Sequence, residues 1–278
     1  MSVKLLGPAE IRDLAELLDV TPTKKLGQNF VIDANTVRKI VKVAHVEAGD
    51  KVVEIGPGLG SLSLGIVEAG ASLVAVEIDG RLAAQLPATF AEMAPGADLT
   101  VIHEDAMKIM DLPNEPTRLV ANLPYNVSVP VLLHFLEHFP SIRSGVVMVQ
   151  AEVGHRLAAE PGSKVYGGPS AKAAWYGKWR IAGTVSRQVF WPVPNVDSVL
   201  VGFERDAEEP GDEALRRRTF DIIDGAFGQR RKMLRQALSD VCGSSAAATE
   251  LLERAGIDPT LRGEQLNISQ FVSIANAS

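Results

Sequence analysis

The sequence is poor in cysteine and in long apolar runs. Cys242 is the single cysteine among 278 residues, so an internal disulfide is excluded and a reducing, cytoplasmic location is expected. No apolar run approaches 18 residues, so no transmembrane helix is expected. Met1–Arg12 lacks the apolar core of a signal peptide, so neither secretion nor a membrane partner is expected.

An excess of positive charge is also missing. The chain carries 28 Lys and Arg residues against 34 Asp and Glu residues, a formal charge of −6, which taken alone argues weakly against a nucleic-acid partner. Hydrophobic residues make up 46% and charged residues 22%, ordinary globular values that exclude wholesale disorder. At about 150 residues per domain, the length indicates one large domain and a smaller one.

The first two thirds of the chain alternate short β-branched runs with helical stretches. The predicted strands are Lys51–Ile55, Ser72–Glu77, Leu99–His103, Arg118–Ala121 and Gly145–Gln150. The predicted helices are Ser61–Ala69, Arg81–Met93 and Ser128–His138, with Asp33 as the N-cap of a further helix to about Ala44. This alternation predicts an α/β fold with a mostly parallel sheet. A later β-rich region, from Lys178–Phe190 to Ser198–Glu204, is expected to continue the sheet antiparallel.

A change in composition marks the predicted domain boundary. Glu204–Glu213 is acidic and contains Pro210 and Gly211, as expected of a linker. Ala214–Ser278 has helical patterning with only short strand-like runs, and no internal repeat is found. We therefore predict a large domain over residues 1–207 and a small helical C-terminal domain over residues 208–278.

A glycine-rich turn with Gly56, Gly58 and Gly60 follows the first of these strands and precedes a helix. Glycines let the backbone turn sharply and approach a ligand closely at the switch point of a sheet. Ser61 stands where a dinucleotide fingerprint needs its third glycine, so that pattern fails. A tight turn without a ligand is the alternative interpretation, but the position after a strand favours a cofactor site.

Three carboxylates accompany this turn. Glu77 ends the second predicted strand, 21 residues after Gly56, where it can accept hydrogen bonds from a ribose diol. Asp105 follows the third strand, where it can accept from an adenine amino group; a helix N-cap is the alternative interpretation. Glu54 adds negative charge before the glycines, which disfavours a pyrophosphate and suits a cofactor with a positive end. The sulfonium and ammonium groups of S-adenosylmethionine provide such an end.

The segment Asn122–Tyr125 (NLPY) follows the fourth predicted strand, so it lies at the same sheet edge as the glycine turn. It resembles the catalytic motif of adenine-specific amino-methyltransferases. Further matching segments are Lys25–Val31 (KLGQNFV), Pro161–Gly167 (PGSKVYG), Phe190–Ser198 (FWPVPNVDS) and Ala226–Lys232 (AFGQRRK). With these, the chain is similar to the KsgA-type small-subunit ribosomal RNA adenine dimethyltransferases over more than 200 residues.

The tetrapeptide suits methyl transfer to an adenine amine, which is a poor nucleophile because its lone pair is delocalised into the ring. The Asn122 side-chain oxygen and the Leu123 carbonyl are expected to accept from its two hydrogens, with Pro124 stiffening the turn. Tyr125 offers a flat face for an extruded base, an interaction worth about 1–3 kcal/mol. The resemblance places Phe190 on the opposite face of that base.

The resemblance implies a class I S-adenosylmethionine-dependent methyltransferase fold, Rossmann-like, with an antiparallel sheet edge and a small α-helical C-terminal domain. It implies dimethylation of two adjacent adenosines near the 3′ end of 16S ribosomal RNA, within a pre-30S particle, and we expect a monomer. The expected cofactor-binding residues are Asn29, Val31, Glu54, Gly56, Gly58, Gly60, Glu77, Asp105 and Asn122. The segment His134–His138 (HFLEH) matches a zinc-peptidase motif. No third ligand is apparent in the sequence, so no metal is expected.

The net charge hides two basic stretches. Pro161–Val196 contains five basic and no acidic residues, and Arg216–Arg235 contains seven basic and two acidic residues, so each carries +5 and the remainder −16. Clustered Lys and Arg favour phosphate contact whatever the total charge, and aromatic residues such as Tyr166 and Trp175 mildly favour it too. Solvated helix faces are the alternative interpretation. The predicted RNA-binding residues are Lys164, Lys178, Arg180, Arg230, Arg231, Lys232 and Arg235.

Three other functions share some of these sequence features. A resistance-type methyltransferase of large-subunit RNA shares the motifs, although Leu123 in place of Ile and the segment Pro161–Gly167 argue against it. A noncatalytic RNA-binding assembly or transcription factor keeps the same fold, although the intact Asn122–Tyr125 argues against lost activity. A DNA adenine methyltransferase is disfavoured, because the sequence shows no separate recognition domain.

Overall fold

The computed structural model describes residues 2–20, 29–124 and 127–278. The helices are α1 (Pro8–Leu17), α2 (Ala34–Val43), α3 (Ser61–Glu68), α4 (Gly80–Met93), α5 (Ser128–His138), α6 (Ala151–Leu157), α7 (Gly168–Ala173), α8 (Glu213–Gly228), α9 (Leu234–Ala237), α10 (Ser239–Cys242), α11 (Ser245–Arg254) and α12 (Ile268–Ala277). The strands are β1 (Phe30–Val31), β2 (Lys51–Ile55), β3 (Ser72–Glu77), β4 (Leu99–His103), β5 (Arg118–Asn122), β6 (Ser144–Gln150), β7 (Gly177–Val185), β8 (Phe190–Trp191) and β9 (Ser198–Arg205). Single 3₁₀ turns occur at Arg187–Val189 and Gly263–Gln265.

The main sheet has the strand order β4-β3-β2-β5-β6-β9-β7. The strands from β2 to β6 pair in parallel, and β9 pairs antiparallel with β6. The chain moves from β2 outward to β3 and β4 and then returns to β5 on the other side of β2, so the topological switch point lies between β2 and β5. Ligands of open α/β sheets bind at the carboxyl edge of such a point. The predicted mostly parallel sheet with an antiparallel edge is confirmed.

The parallel strands form where apolar residues run continuously, as expected of buried strands. β2, β3 and β4 have the predicted bounds, whereas β5 extends one residue further, to Asn122, and β6 begins one residue earlier, at Ser144. The predicted cap of α2 is confirmed, because the Asp33 carboxylate accepts the Thr36 N–H at 2.7 Å. Local pattern therefore accounts for the elements that build the central sheet.

The sequence prediction contains no counterpart of α1, α6 and α7, or of a two-stranded ladder outside the main sheet. α1 buries Ile11 and Ala15. A short antiparallel ladder between β1 and β8 pairs Phe30 with Trp191 and Val31 with Phe190. A ladder of two residues leaves no periodicity to detect, and its partners are far apart in the chain.

The chain divides into two compact units. One comprises Met1–Gly154 and Arg180–Glu204, and the other comprises His155–Trp179 and Arg205–Ser278. Residues 205–278 begin within a few residues of the expected boundary, but residues 155–179, which the sequence assigned to the large domain, also belong to the second unit. They join it through non-local contacts within that unit, such as a hydrogen bond that the Tyr166 hydroxyl donates to the Leu266 carbonyl at 2.8 Å.

The second unit is mainly helical, with α8 packed against α7, α9 and α12. Tyr166, Trp175 and Tyr176 lie in its interior and are 2%, 0% and 2% exposed. Rings buried to this extent cannot stack on bases, so these three residues are core residues, and the interpretation that they favour nucleic-acid contact is wrong. Within the described ranges, none of the helices is both long enough and apolar enough to span a bilayer.

Candidate active site

A cavity of about 380 Å³ opens at the carboxyl edge of the sheet, at the switch point between β2 and β5. Its volume is within the range of roughly 300–1,000 Å³ found for small-molecule sites. The walls come from the ends of β2, β3, β4 and β5, from residues 29–31 and from the start of α5. The predicted cofactor residues that line it are Asn29, Val31, Glu54, Gly56, Gly58, Glu77, Asp105 and Asn122.

The glycine turn uses left-handed backbone, with φ of +68° at Gly56, +58° at Gly58 and +96° at Gly60. Glycine adopts these angles without strain. Gly58 also needs its missing side chain, because a Cβ there would lie 3.0 Å from Cε1 of Phe30. Gly60 is the one predicted cofactor contact that the structure does not bring to the cavity wall: it is the N-cap of α3 and sets the direction of that helix.

Glu77 ends β3 and is held in place from two sides. Its Oε2 accepts the Gly58 N–H at 3.0 Å, and its Oε1 accepts the Asp79 N–H at 2.9 Å. Burial raises the pKa of Glu77, and these backbone hydrogen bonds oppose the rise. Each carboxylate oxygen keeps a second lone pair, so the group can still accept from two hydroxyls of a ribose.

Glu54 is the most deeply buried acidic residue of the cavity wall and is 1% exposed. Burial raises its pKa to about 8; a hydrogen bond from the Ser63 hydroxyl at 2.5 Å opposes the rise, and the charge of Glu77 adds to it. Five residues of the described cavity wall carry a carboxyl group. No residue of that described wall is Lys, Arg or His. The cavity therefore suits a ligand that brings its own positive charge.

Asp105 lies in the described stretch between β4 and β5, where no helix forms, so it caps a turn rather than the helix of the alternative interpretation, and its contact with a cofactor stays a prediction. Its Oδ1 accepts the Met107 N–H at 2.9 Å and its carbonyl accepts the Lys108 N–H at 2.8 Å, so it closes the turn that follows β4. It also lines the cavity. The turn geometry fixes the carboxylate at the wall, where it can still accept a hydrogen bond from a ligand.

Asn122 ends β5, and its side-chain amide is oriented by the chain itself. Its Nδ2 donates to the Asn29 carbonyl at 3.1 Å, which leaves the amide oxygen as the acceptor for a ligand. The Leu123 N–H donates to the Met148 carbonyl at 3.1 Å, and Leu123 and Pro124 line the cavity beside Asn122. Tyr125, the fourth residue of the predicted catalytic motif, lies outside the described residues.

Phe190 does not take the position that the resemblance implied. Its side chain is 1% exposed, packs in the hydrophobic core and is not part of the cavity wall. A ring enclosed in this way has no open face for a base, so the structure corrects this expectation: Phe190 pairs with Val31 in the β1–β8 ladder. Its neighbour Trp191 is half-buried and stacks against Phe30, with ring centroids 6.4 Å apart.

Sequence reasoning missed the apolar part of the wall. Phe30, Ile78, Met107 and Val131 line the cavity, and Ile78 is 66% exposed although it is a large aliphatic residue. An apolar side chain beside the carboxylates suits the face of an adenine ring. The position of Ile78 directly after Glu77 is the sequence feature that identifies it.

The predicted RNA-binding residues have different surroundings. The exposed ones are Lys164, Lys178, Arg180, Arg231 and Lys232. Arg230 is instead paired with Glu264 at 2.8 Å, and Arg235 is half-buried. Exposed cations are available to phosphate groups, whereas a paired one must first leave its carboxylate.

The two histidines of the HFLEH segment contact backbone carbonyls. His134 Nε2 lies 2.8 Å from the Ile109 carbonyl oxygen, and His138 Nδ1 lies 2.9 Å from that of His134. Over the part of the chain that the structure describes, no group of three His, Cys, Asp or Glu side chains has the arrangement of a metal site.

Sequence comparison gives close relatives over almost the whole chain. The family model described as Ribosomal RNA adenine dimethylase matches residues 21–278. The Ribosomal RNA small subunit methyltransferase A of Leifsonia xyli subsp. xyli is 70% identical over 275 residues, which cover 98% of each chain. The protein of the same name from Corynebacterium efficiens is 60% identical over 277 residues, 98% of this chain and 96% of the relative.

Structure comparison supports the same fold. A dimethyladenosine transferase from Plasmodium falciparum aligns with a TM-score of 0.74 at 21% identity, over 87% of this chain and 94% of that one. The 23S rRNA methyltransferase ErmE aligns with a TM-score of 0.66 at 22% identity, over 90% and 99%. These likenesses confirm the predicted methyltransferase fold. From the family match and its full-length relatives, the chain belongs to the ribosomal RNA adenine dimethylase family, enzymes that methylate ribosomal RNA adenine with S-adenosylmethionine.

Proposed function

We propose that this enzyme dimethylates two adjacent adenosines near the 3′ end of 16S ribosomal RNA, acting as a cytoplasmic monomer on a small-subunit particle under assembly. The observation that carries the proposal is the placement of Asn122, which lines the cavity and whose Nδ2 donates to the Asn29 carbonyl, so that its amide oxygen stays available as an acceptor. An acceptor at this place suits an exocyclic amine. Small-subunit RNA is favoured because relatives of 70% and 60% identity carry that substrate in their names.

The cavity fits S-adenosylmethionine through the chemistry of its wall. Carboxyl groups without a basic partner suit the positive end of this cofactor. We assign the ribose hydroxyls to Glu77, the adenine amino group to Asp105 and the positive end to Glu54. When bound, S-adenosylmethionine supplies the methyl group as an electrophile on a sulfonium centre.

The protein contributes positioning and electrostatics to the transfer. The Asn122 amide oxygen accepts one N–H of the target amine and the Leu123 carbonyl accepts the other, which favours a pyramidal nitrogen with its lone pair free to attack. Pro124 restricts the turn that presents this carbonyl. The amine nitrogen would become cationic as its new N–C bond forms and the methyl–sulfur bond breaks to leave a neutral thioether; it would then release a proton to water, so no side-chain base is required.

We place RNA binding on the exposed basic residues of the second unit, Lys164, Arg231 and Lys232. The Lys164 carbonyl accepts a hydrogen bond from Arg230, the residue before Arg231, so these cations are grouped in space. Grouped cations bind phosphates with release of counterions. This supports a local RNA-binding surface on a chain whose net charge is −6.

The test supplies labelled S-adenosylmethionine separately to undermodified small subunits, large subunits and naked RNA. We expect dimethyladenosine in small-subunit RNA alone.

Asn122→Ala should lose about 100-fold or more in rate, as when one transition-state hydrogen bond is removed, while cofactor affinity changes little. Asn35→Ala, which removes an exposed amide on α2, is the matched control and should remain active.

Two outcomes would contradict the proposal. Product confined to large-subunit RNA would assign the enzyme to the rival substrate. Full activity of the Asn122→Ala variant would remove the amide from the mechanism.

A further inference from the structure

Arg230 stands apart from the basic residues that follow it in the chain. Its Nε donates to the Glu264 carboxylate at 2.8 Å, and its Nη2 donates to the Lys164 carbonyl at 2.8 Å. The guanidinium thus bridges two segments that are distant in sequence, while Arg231 and Lys232 are exposed. A planar fork that satisfies two acceptors at once is a use of arginine that lysine cannot reproduce.

The segment that carries Lys164 is attached to the Gly263–Gln265 turn by further contacts. The Gly162 N–H donates to the Glu264 carbonyl at 2.7 Å, and the buried Tyr166 hydroxyl donates to the Leu266 carbonyl at 2.8 Å. These bonds engage backbone atoms or buried groups on both sides of Lys164. The Lys164 side chain is exposed, and the residues on either side of it are held by hydrogen bonds.

We propose that Arg230 is a positioning residue for RNA binding: it clamps residues 160–167 onto the Glu264 turn, so that Lys164 is presented beside Arg231 and Lys232. Arg230 itself contacts no phosphate in this arrangement, since its guanidinium is engaged by Glu264 and by the Lys164 carbonyl. The inference deepens the proposed function and rests on it, because it assumes that this surface binds ribosomal RNA.

Charge-conserving substitutions separate positioning from phosphate contact. Lysine keeps the charge of Arg230 but can reach only one of its two acceptors, so Arg230→Lys should lower affinity for a small-subunit RNA fragment about three- to tenfold with an unchanged salt dependence. Arg218→Lys, at an exposed position of α8 outside the proposed RNA surface, is the matched control and should bind like the unmodified enzyme. Amide hydrogen exchange of residues 162–167, measured without RNA, should become faster in Arg230→Lys and stay unchanged in Arg218→Lys.

Other results of these experiments would contradict either the inference about Arg230 or the proposed RNA surface. The inference is overturned if Arg230→Lys binds RNA normally, or if Arg230→Ala flattens the salt dependence as much as Arg231→Ala does, since Arg230 would then act as a phosphate contact. Arg231→Ala should itself weaken binding and flatten the salt dependence. If it changes neither, the proposed RNA surface is wrong, even where hydrogen exchange still shows that Arg230 anchors the loop.

Discussion

At the scale of single residues, the carboxyl group of Glu54 determines the charge of the cavity wall, because it is buried in the ligand-free enzyme. Burial raises the pKa of Glu54 to about 8, so at pH 7 the free enzyme holds this group mostly protonated. A cationic group of the cofactor placed beside it favours the carboxylate and lowers its pKa. Cofactor binding and loss of the Glu54 proton are therefore linked.

We predict that binding of S-adenosylmethionine at pH 7 releases close to one proton, and that affinity increases as the pH rises toward about 8. The affinity can increase by at most about tenfold per pH unit, because a single proton is released. Titration calorimetry in two buffers of different ionisation enthalpy measures the proton count. Glu54→Gln, which keeps an oxygen for the Ser63 hydroxyl, should bind more weakly and release no proton; an unchanged release would assign the proton to another group.

The same shift makes the free enzyme less stable as the pH rises. The folded-state pKa of Glu54, about 8, is above its ordinary value of 4.5, so the folded chain holds a proton that the unfolded chain releases across this window. The stabilisation from this proton is complete below the unfolded pKa and is lost as the pH rises through about 8. The melting temperature of the ligand-free enzyme should therefore fall as the pH rises from about 4.5 to about 8, relative to the melting temperature of Glu54→Gln.

At the scale of elements, Arg81 connects α1 to the cavity. It lies in the first turn of α4, where its guanidinium donates to the Asp79 carboxylate at 2.9 Å and to the Asp19 carbonyl, just beyond α1, at 2.9 Å. The Asp79 N–H donates in turn to Glu77. α1 is thereby tied, through two residues, to the carboxylate that we assign to the ribose.

We predict that Arg81→Ala raises the KM for S-adenosylmethionine about three- to tenfold, because hydrogen bonds worth about 1 kcal/mol no longer hold Asp79 and Glu77. The value of kcat should change little, since Asn122 is not part of this chain of bonds. Arg38→Ala is the matched control: Arg38 pairs with Glu68, its side chain is equally exposed at 54%, and neither residue lines the cavity. Equal KM changes in the two variants would show a general effect on stability.

Features set by local pattern could be predicted from the sequence, and features set by distant partners could not. The strands follow from continuous apolar runs, and Asn122 meets the glycine turn because carboxyl ends of parallel strands share one edge. The burial of Phe190 depends on pairing with β1, which lies far away in the chain. The attachment of residues 155–179 to the second unit likewise depends on contacts such as that of Tyr166 with Leu266, which no periodicity reports.

At the scale of the whole molecule, neither the net charge of −6 nor the +5 of each basic stretch gives the charge that RNA meets. Some cations within the stretches are compensated where they lie: Lys172 pairs with Asp224 at 2.7 Å, and Arg217 pairs with Glu213 four residues earlier. Compensated cations attract phosphate less than exposed cations without a nearby carboxylate. The RNA-binding surface is therefore expected to be smaller than the stretches from which it is built.

We predict that replacing both Arg231 and Lys232 by Ala lowers RNA affinity about tenfold at 0.1 M salt and reduces the slope of log K against log salt by about 1.4–1.8, because each phosphate contact contributes about 0.7–0.9. Replacing Arg217 and Arg218 by Ala removes the same charge from exposed positions of α8 and should change the slope much less. Fluorescence anisotropy with a small-subunit RNA fragment over a salt series measures both. Equal reductions in the two double variants would mean that total charge, rather than a defined surface, attracts the RNA.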